Sequence, residues 1–316
     1  INDKDKYHLL KRIIVNNGSD KLVFVSDMLK YFYVMQNGYS ASKSVTIYNG
    51  VDCSFFKPQQ DDSIKIKLGF EPNTILVGSV GNIRPPKGYK YLLEAAKLIV
   101  DQNPHFRFVV AGEGSGRYFE SILKLRNNLG LEKHFIFLGF EPDIPKFLNN
   151  LDIYVLSSIS EGFSISTIEA MASGVPVIAT DVGGTRELVQ DGVDGFVVAP
   201  DDADAFVRYS RDLLRDAGMR RRCAAAARAH AELCSTPRMI EALKPTIEST
   251  VTALLDPIAE AGGGNVLEAV GFPLPVTIIG AMLGVPEADG PQFRSWVRDL
   301  VAIFEMVPTP AQLAAA

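Results

Sequence analysis

Glu161 and Glu169 stand eight residues apart in the stretch EGFSISTIEAMASG, residues 161–174. Between and beyond them, Ile165, Ile168 and Met171–Ala172 recur at helical spacing, and Ser164, Ser166 and Thr167 offer capping hydroxyls at the start. This pattern predicts a helix beginning near Ile165, with Glu161 in the loop before it and Glu169 one turn inside. A helix N-terminus carries unpaired N–H groups and a partial positive charge, which suit an anion such as a diphosphate. Carboxylates on either side accept charge-assisted hydrogen bonds from hydroxyl-rich groups. An anion in the middle with polyols at both ends describes a nucleotide sugar.

A second stretch supplies positive charge. GNIRPPKG, residues 81–88, falls between a buried apolar run and a helical pattern, where open α/β sheets bind ligands. Gly81 lets the backbone approach a ligand, and Arg84 and Lys87 can neutralise a departing diphosphate. AGEGSG, residues 111–116, imitates a dinucleotide fingerprint, with Glu132 about twenty residues on; the spacing is wrong, and Glu132 precedes its strand. Asp3-Lys4-Asp5 and Asp202-Ala203-Asp204 match a D-x-D metal motif in letters only. Neither follows a buried strand, so both read as solvated charge.

The elements that must position these residues form a regular alternation. Apolar runs at 75–81, 106–112, 134–139, 153–158, 175–180 and 195–199 are separated by helical patterns over 88–100, 116–129, about 143–149, the central helix, and a short piece after Gly184. Helices near 203–215 and 217–233 follow. Such alternation means a parallel sheet covered on both faces, so the fold class is α/β with a Rossmann-like sheet, followed by an all-α tail. Upstream, residues 1–20 read as a polar helix, 22–26 as a short strand, a helix carries Met28, Leu29, Phe32 and Val34, and 45–52 is a second strand ending in an Asn-Gly turn.

Residues 161–184, EGFSISTIEAMASGVPVIATDVGG, resemble the E-x7-E region of retaining glycosyltransferases with the GT-B fold, in the family called GT4. The resemblance implies that Glu161 contacts the transferred sugar and Glu169 the nucleotide ribose. Two glutamates at this spacing alone would describe a solvated helix face; the flanking Gly-Phe, Ala-Met-Ala-Ser-Gly and Gly-Gly decide for the family. Lys87 matches the lysine of the family's G-R-x4-K-G. Asn82 holds the place of its arginine, and Arg84 stands two residues later. FLGF, residues 137–140, lies where relatives hold the base, which implies a base site at Gly139–Phe140 for uracil or guanine. The implied donor contacts are Gly81, Asn82, Arg84, Lys87, Gly139, Phe140, Glu161, Gly162, Phe163, Ser164, Ile165, Ser166, Thr167 and Glu169. Of these, Glu161, Lys87 and Arg84 are the candidate catalytic residues. The Asn-Gly-Val-Asp at 49–52 resembles the end of the family's N-terminal, acceptor-binding domain. Residues 1–52 then read as a remnant of that domain and its linker, and 53–234 as the nucleotide-sugar-binding domain.

After about Cys234 a different resemblance takes over. Residues 235–256 and 272–296 are similar to the D-to-F helix region of a bacterial cytochrome P450, through Pro237-Arg238, Leu243-x-Pro245, Leu254-Leu255-Asp256, Phe272-Pro273-Leu274-Pro275 and Leu283-Gly284-Val285-Pro286. No Gly-rich loop with a haem-ligating cysteine is present, so residues 235–316 read as P450-like helices without haem. Composition agrees with a chimeric chain. Lysine occurs fifteen times up to Lys146 and once more at Lys244, while arginine becomes frequent after Arg208.

The 316 residues carry a net charge of −5 and are 47% hydrophobic, which excludes a nucleic-acid binder acting through bulk charge. No run of about 18 apolar residues predicts a transmembrane segment. Cys53, Cys223 and Cys234 form no CxxC pair, which fits a reducing, cytoplasmic setting. The expected activity is transfer of a sugar from a UDP- or GDP-sugar to a hydroxyl acceptor, with no metal or haem cofactor. The alternatives are a nucleotide-sugar-binding module without turnover and, far behind, a P450 monooxygenase fragment. Apolar faces in the tail, at Val276, Ile278, Ile279, Met282 and Leu283, are expected to promote self-association.

Overall fold

The computed structural model describes residues 22–260 together with Asn16. Asp3-Lys4-Asp5 and the P450-like motifs beyond residue 260 lie outside the described residues. The chain forms two compact units, one containing residues up to Ile47 and from Ile240 on, the other Tyr48–Met239.

In the first unit, strand β1 (Leu22–Phe24) pairs in parallel with β2 (Ser44–Thr46) across helix α1 (Asp27–Asn37). Ser26 caps α1 by accepting from Leu29 N at 3.2 Å, and Gly38, at φ 68°, closes it in the left-handed conformation that glycine adopts without penalty. The apolar run at 45–52 is therefore only partly strand. It stops at Thr46, because Asn49 and Gly50 make their hydrogen bonds elsewhere, within the second unit.

The second unit contains helix α2 (Ser63–Lys67), which sequence periodicity misses because it is barely one turn long. Its Ile64 N–H is held by the Asn150 side chain at 2.9 Å. The alternation then follows as expected: β3 (Ile75–Val80), α3 (Tyr89–Gln102), β4 (Phe106–Ala111), α4 (Gly116–Asn128), β5 (Phe135–Gly139), α5 (Ile144–Asn149), β6 (Ile153–Leu156), α6 (Ile165–Ala172), β7 (Val177–Thr180), α7 (Thr185–Leu188) and β8 (Gly195–Val198). Helices α8 (Ala203–Arg215), α9 (Ala217–Leu233) and α10 (Thr236–Glu260) complete the described chain.

The six strands β3–β8 make one sheet, all pairs parallel, in the order β5-β4-β3-β6-β7-β8. Their β-branched and aromatic runs are buried, as a sheet covered on both faces requires. On one face Val77, Phe108, Val110, Ile153, Val155 and Ile178 pack with Leu93, Ala96 and Ile99 of α3 and Phe206 of α8. Tyr154 alternates with Ile153 and Val155, so it points to the other face, where its hydroxyl donates to Ser166 of α6 at 2.8 Å. α6 is nearly all buried there, with Ile168, Ala170, Met171 and Ala172 at 0% exposure, and it packs against α9. Among the described residues no helix is long and apolar enough to cross a membrane.

Candidate functional site

The strand order reverses between β3 and β6. The chain runs outward from β3 through β4 to β5, then returns to β6 and continues the other way. That leaves a crevice at the carboxyl ends of β3 and β6, where open α/β sheets bind their ligands. The loop after β3 carries Lys87, and the loop after β6 carries Glu161. The two side chains meet across the crevice, Lys87 Nζ to Glu161 Oε1, at 2.5 Å.

Local backbone demands explain why these loops come so close. Gly88 sits at φ 66°, and a Cβ there would stand 1.9 Å from the Ser157 carbonyl oxygen. The Lys87 carbonyl accepts from the Ser157 hydroxyl at 2.8 Å, and Ile159 N–H donates to the Pro86 carbonyl at 2.8 Å. Glycine is thus required for the β3 loop to lie against the β6 loop. On the far side, Gly183 lies at φ 54° with its missing Cβ 1.9 Å from the Glu161 carbonyl oxygen, and Gly184 N–H donates to the Gly162 carbonyl at 2.9 Å. The carboxyl ends of the outer strands line up beside them. Gly81 N–H donates to Ala111 O, and Gly112 N–H to Gly139 O, each at 2.8 Å. Buried Tyr89 closes the row from below, its hydroxyl donating to Gly81 O at 2.6 Å.

Helix α6 begins at Ile165, with Ser164 as N-cap accepting from Thr167 N–H at 3.3 Å. A short hydroxyl chain surrounds this N-terminus: Thr167 Oγ1 donates to Ser164 Oγ at 2.9 Å, and Ser164 and Ser166 Oγ lie 3.3 Å apart. Glu169, one turn into the helix, is partly buried, and that burial pushes its carboxyl up to about 7. Burial raises the Tyr154 phenol above its ordinary range, and the charges of Glu169 and Glu161 add to the effect, so this phenol lies within the fields of both carboxylates.

The structure therefore brings Lys87, Glu161, Gly81 and the α6 N-terminus with Glu169 to one edge of the sheet. Phe163 is buried under this loop, its ring 5.0 Å from that of Tyr48, and its carbonyl accepts from the Asn49 side chain at 3.2 Å. Asn82, the residue in the family arginine's place, is turned sideways: its Oδ1 accepts from Glu113 N–H at 3.0 Å and holds the β4 loop. Arg84 is exposed and forms no ion pair among the described residues. Gly139 ends β5 at φ 78°, and Phe140 beyond it presents a ring that is 73% exposed. Ile165, at the first turn of α6, is 49% exposed at the rim. Sequence reasoning missed Ser158, Thr180 and Tyr89. The only signal for Ser158 and Thr180 was their position at or just beyond the end of a buried strand, and for Tyr89 its place at the first turn of α3.

Sheet topology, crevice and facing charges define an α/β domain that gathers a lysine, two glutamates and a helix N-terminus at one edge of its sheet. The family of glycosyl transferases group 1 matches residues 60–230, and the chain belongs to it. A lipopolysaccharide core biosynthesis mannosyltransferase, LpsB of Rhizobium meliloti, is 36% identical over 179 residues, covering 55% of this chain and 51% of that protein. A UDP-Gal:alpha-D-GlcNAc-diphosphoundecaprenol alpha-1,3-galactosyltransferase of Escherichia coli is 32% identical over 204 residues, covering 62% of this chain and 49% of that protein. Among solved structures, Anabaena Alr3699/HepE in complex with UDP-glucose superposes with a TM-score of 0.71 at 26% identity, covering 77% of this chain and 68% of that one. The chain spans about half the length of the curated relatives it matches.

Proposed function

We propose that the unit Tyr48–Met239 binds a nucleoside diphosphate sugar, and that the whole protein transfers the sugar, with retention of anomeric configuration, to a hydroxyl acceptor. One observation carries this reading: Lys87 and Glu161 face each other across the topological switch point, beside the N-terminus of α6. In the proposed complex the diphosphate lies at that N-terminus and draws the Lys87 ammonium to itself, with Arg84 as a second, exposed cation. Glu161 then accepts from sugar hydroxyls and Glu169 from the ribose. The base lies along Gly139–Phe140, against an exposed aromatic ring. Catalysis so arranged is positioning plus stabilisation of the departing diphosphate by preorganised charge, and it uses no metal or haem. The galactosyltransferase relative names a UDP-sugar donor and HepE is seen with UDP-glucose, which supports a UDP-sugar over a GDP-sugar.

Calorimetric titration of the chain with UDP and with GDP tests the site and identifies the base together. Binding of either, weakened by Glu169→Ala, supports the reading; absence of binding by both overturns it.

A second reading differs only in outcome. In it, these 316 residues, which span about half the length of the relatives they match, would bind the donor without turning it over. Product formed from UDP-[14C]glucose or GDP-[14C]mannose and a sugar acceptor would decide against it. For residues 235–316 we propose a segment of P450-like sequence that holds no haem; a reduced carbon-monoxide difference spectrum without a Soret shift is the expected result. The three cysteines are free thiols, which supports a reducing, cytoplasmic setting.

A further inference from the structure

Two consecutive serines, Ser157 and Ser158, follow β6, and each is tied to one residue of the ion pair. Ser157 Oγ donates to the Lys87 carbonyl at 2.8 Å. Ser158 Oγ donates to Glu161 Oε1 at 2.7 Å. Ser158 is 0% exposed, and its own carbonyl accepts from Thr180 Oγ1 at 2.5 Å, which anchors it to the end of β7. It is therefore a rigid donor fixed to the sheet, whereas Lys87 reaches Glu161 on a flexible four-carbon stem.

Both recorded bonds to the Glu161 carboxylate fall on Oε1; Oε2 takes none among the described residues. An incoming diphosphate competes for the Lys87 ammonium, and once it succeeds, Ser158 is the donor that still fixes the carboxylate plane. We propose that Ser158 is a positioning residue for the sugar: it pins Oε1 from beneath, so that Oε2 is presented to the sugar hydroxyls of the bound donor. The inference rests on the donor reading above. It assigns to a buried hydroxyl the task of orienting Glu161 once a bound diphosphate has drawn Lys87 away from the ion pair.

A serine that merely satisfies its own hydroxyl would affect stability and treat all ligands alike. A positioning serine distinguishes ligands that carry the sugar from those that do not. The test is calorimetry on the full chain with UDP and UDP-glucose, and with GDP and GDP-mannose, using the pair whose nucleotide the wild type binds. Ser158→Ala is expected to weaken the sugar nucleotide about five- to tenfold and the free nucleotide by less than about twofold. Ser158→Thr, which keeps the hydroxyl, is expected to restore most of that loss; if its extra methyl prevents folding, Ser158→Cys, a weaker donor of similar size, is expected to fall between Ala and wild type. On a Glu161→Gln background Ser158→Ala is expected to cost nothing further, since a residue acting through another is non-additive with it. Equal weakening of both ligands, or an undiminished loss on the Glu161→Gln background, overturns the inference and leaves the donor reading standing. Failure of wild type to bind either nucleoside diphosphate overturns the donor reading, and this inference with it.

Discussion

At neutral pH the Glu169 carboxyl is near the midpoint of its titration, because burial raises it to about 7. Its proposed task, accepting hydrogen bonds from ribose hydroxyls, favours the ionised form. Affinity for UDP or GDP is therefore expected to rise with pH through about 7 and to level off above it, with Glu169→Gln flattening the profile in calorimetry between pH 5.5 and 8.5. Glu169→Ala is expected to weaken the nucleotide about ten- to a hundredfold, the worth of a charge-assisted hydrogen bond of roughly 1.5–3 kcal/mol. Stability responds in the opposite sense. The folded-state value lies above the ordinary 4.5, so the folded state binds the proton more tightly than the unfolded chain. The associated stabilisation is complete below about 4.5 and is lost as pH rises through about 7. Urea midpoints at pH 5 and 8 are expected to show this loss in wild type and to show less of it in Glu169→Gln. Lys87 makes a different prediction: Lys87→Ala is expected to weaken UDP or GDP more than the corresponding nucleoside, since only the diphosphate needs the ammonium. Equal losses would remove Lys87 from the diphosphate site.

The regular elements were legible because buried strands and amphipathic helices write their period into the chain. Helix α6 begins at Ile165, where the Ser164 cap and the Ile165, Ile168, Met171 spacing put it, and α8 and α9 keep their expected bounds. The misses have a common cause. β2 ends at Thr46, α2 is too short to show a period, Ser158 acts through a side-chain bond to Glu161 three residues on in a non-periodic loop, and Thr180 through a long-range bond to the Ser158 carbonyl, neither of which a local pattern records. Arg228 is of the same kind. From α9 it donates to the carbonyls of Ala172 at 2.5 Å, Phe56 at 2.6 Å and Cys53 at 2.9 Å. Its guanidinium thus caps the C-terminus of α6, where the helix dipole favours a cation, and clips the 53–56 segment beside it. Arg228→Ala leaves these carbonyls without their donor and is expected to destabilise the protein by about 2–4 kcal/mol. The readout is a lower urea midpoint at unchanged slope. Arg228→Lys is expected to recover only a fraction, because one ammonium cannot reach three carbonyls in a fork.

On the scale of the whole molecule, the donor unit runs from Tyr48 to Met239, and residues 50–51 near its start are bonded to residues 234–239 at its end. Val51 N–H donates to Cys234 O at 3.0 Å, Thr236 N–H to Val51 O at 2.9 Å, and Gly50 N–H to the Met239 sulfur at 3.2 Å. A fragment of residues 48–239 is accordingly expected to retain nucleotide binding. One of residues 53–234, which loses every one of these bonds, is expected to melt at a lower temperature in a thermal shift assay. The tail from residue 240 on is expected to be removable without loss of UDP or GDP affinity.

That meeting of the two ends has a topological consequence. A unit entered and left at one place is a loop closed on itself, so its sequence has no obligatory starting point. Residues 239 and 48 could be joined through a short Gly-Ser bridge and the chain reopened at an exposed turn away from the crevice, such as Gly130, giving a circular permutant with the same sheet. The same closure would let the unit be spliced as a guest into a surface turn of an unrelated host, since it asks the host to hold open only a narrow gap.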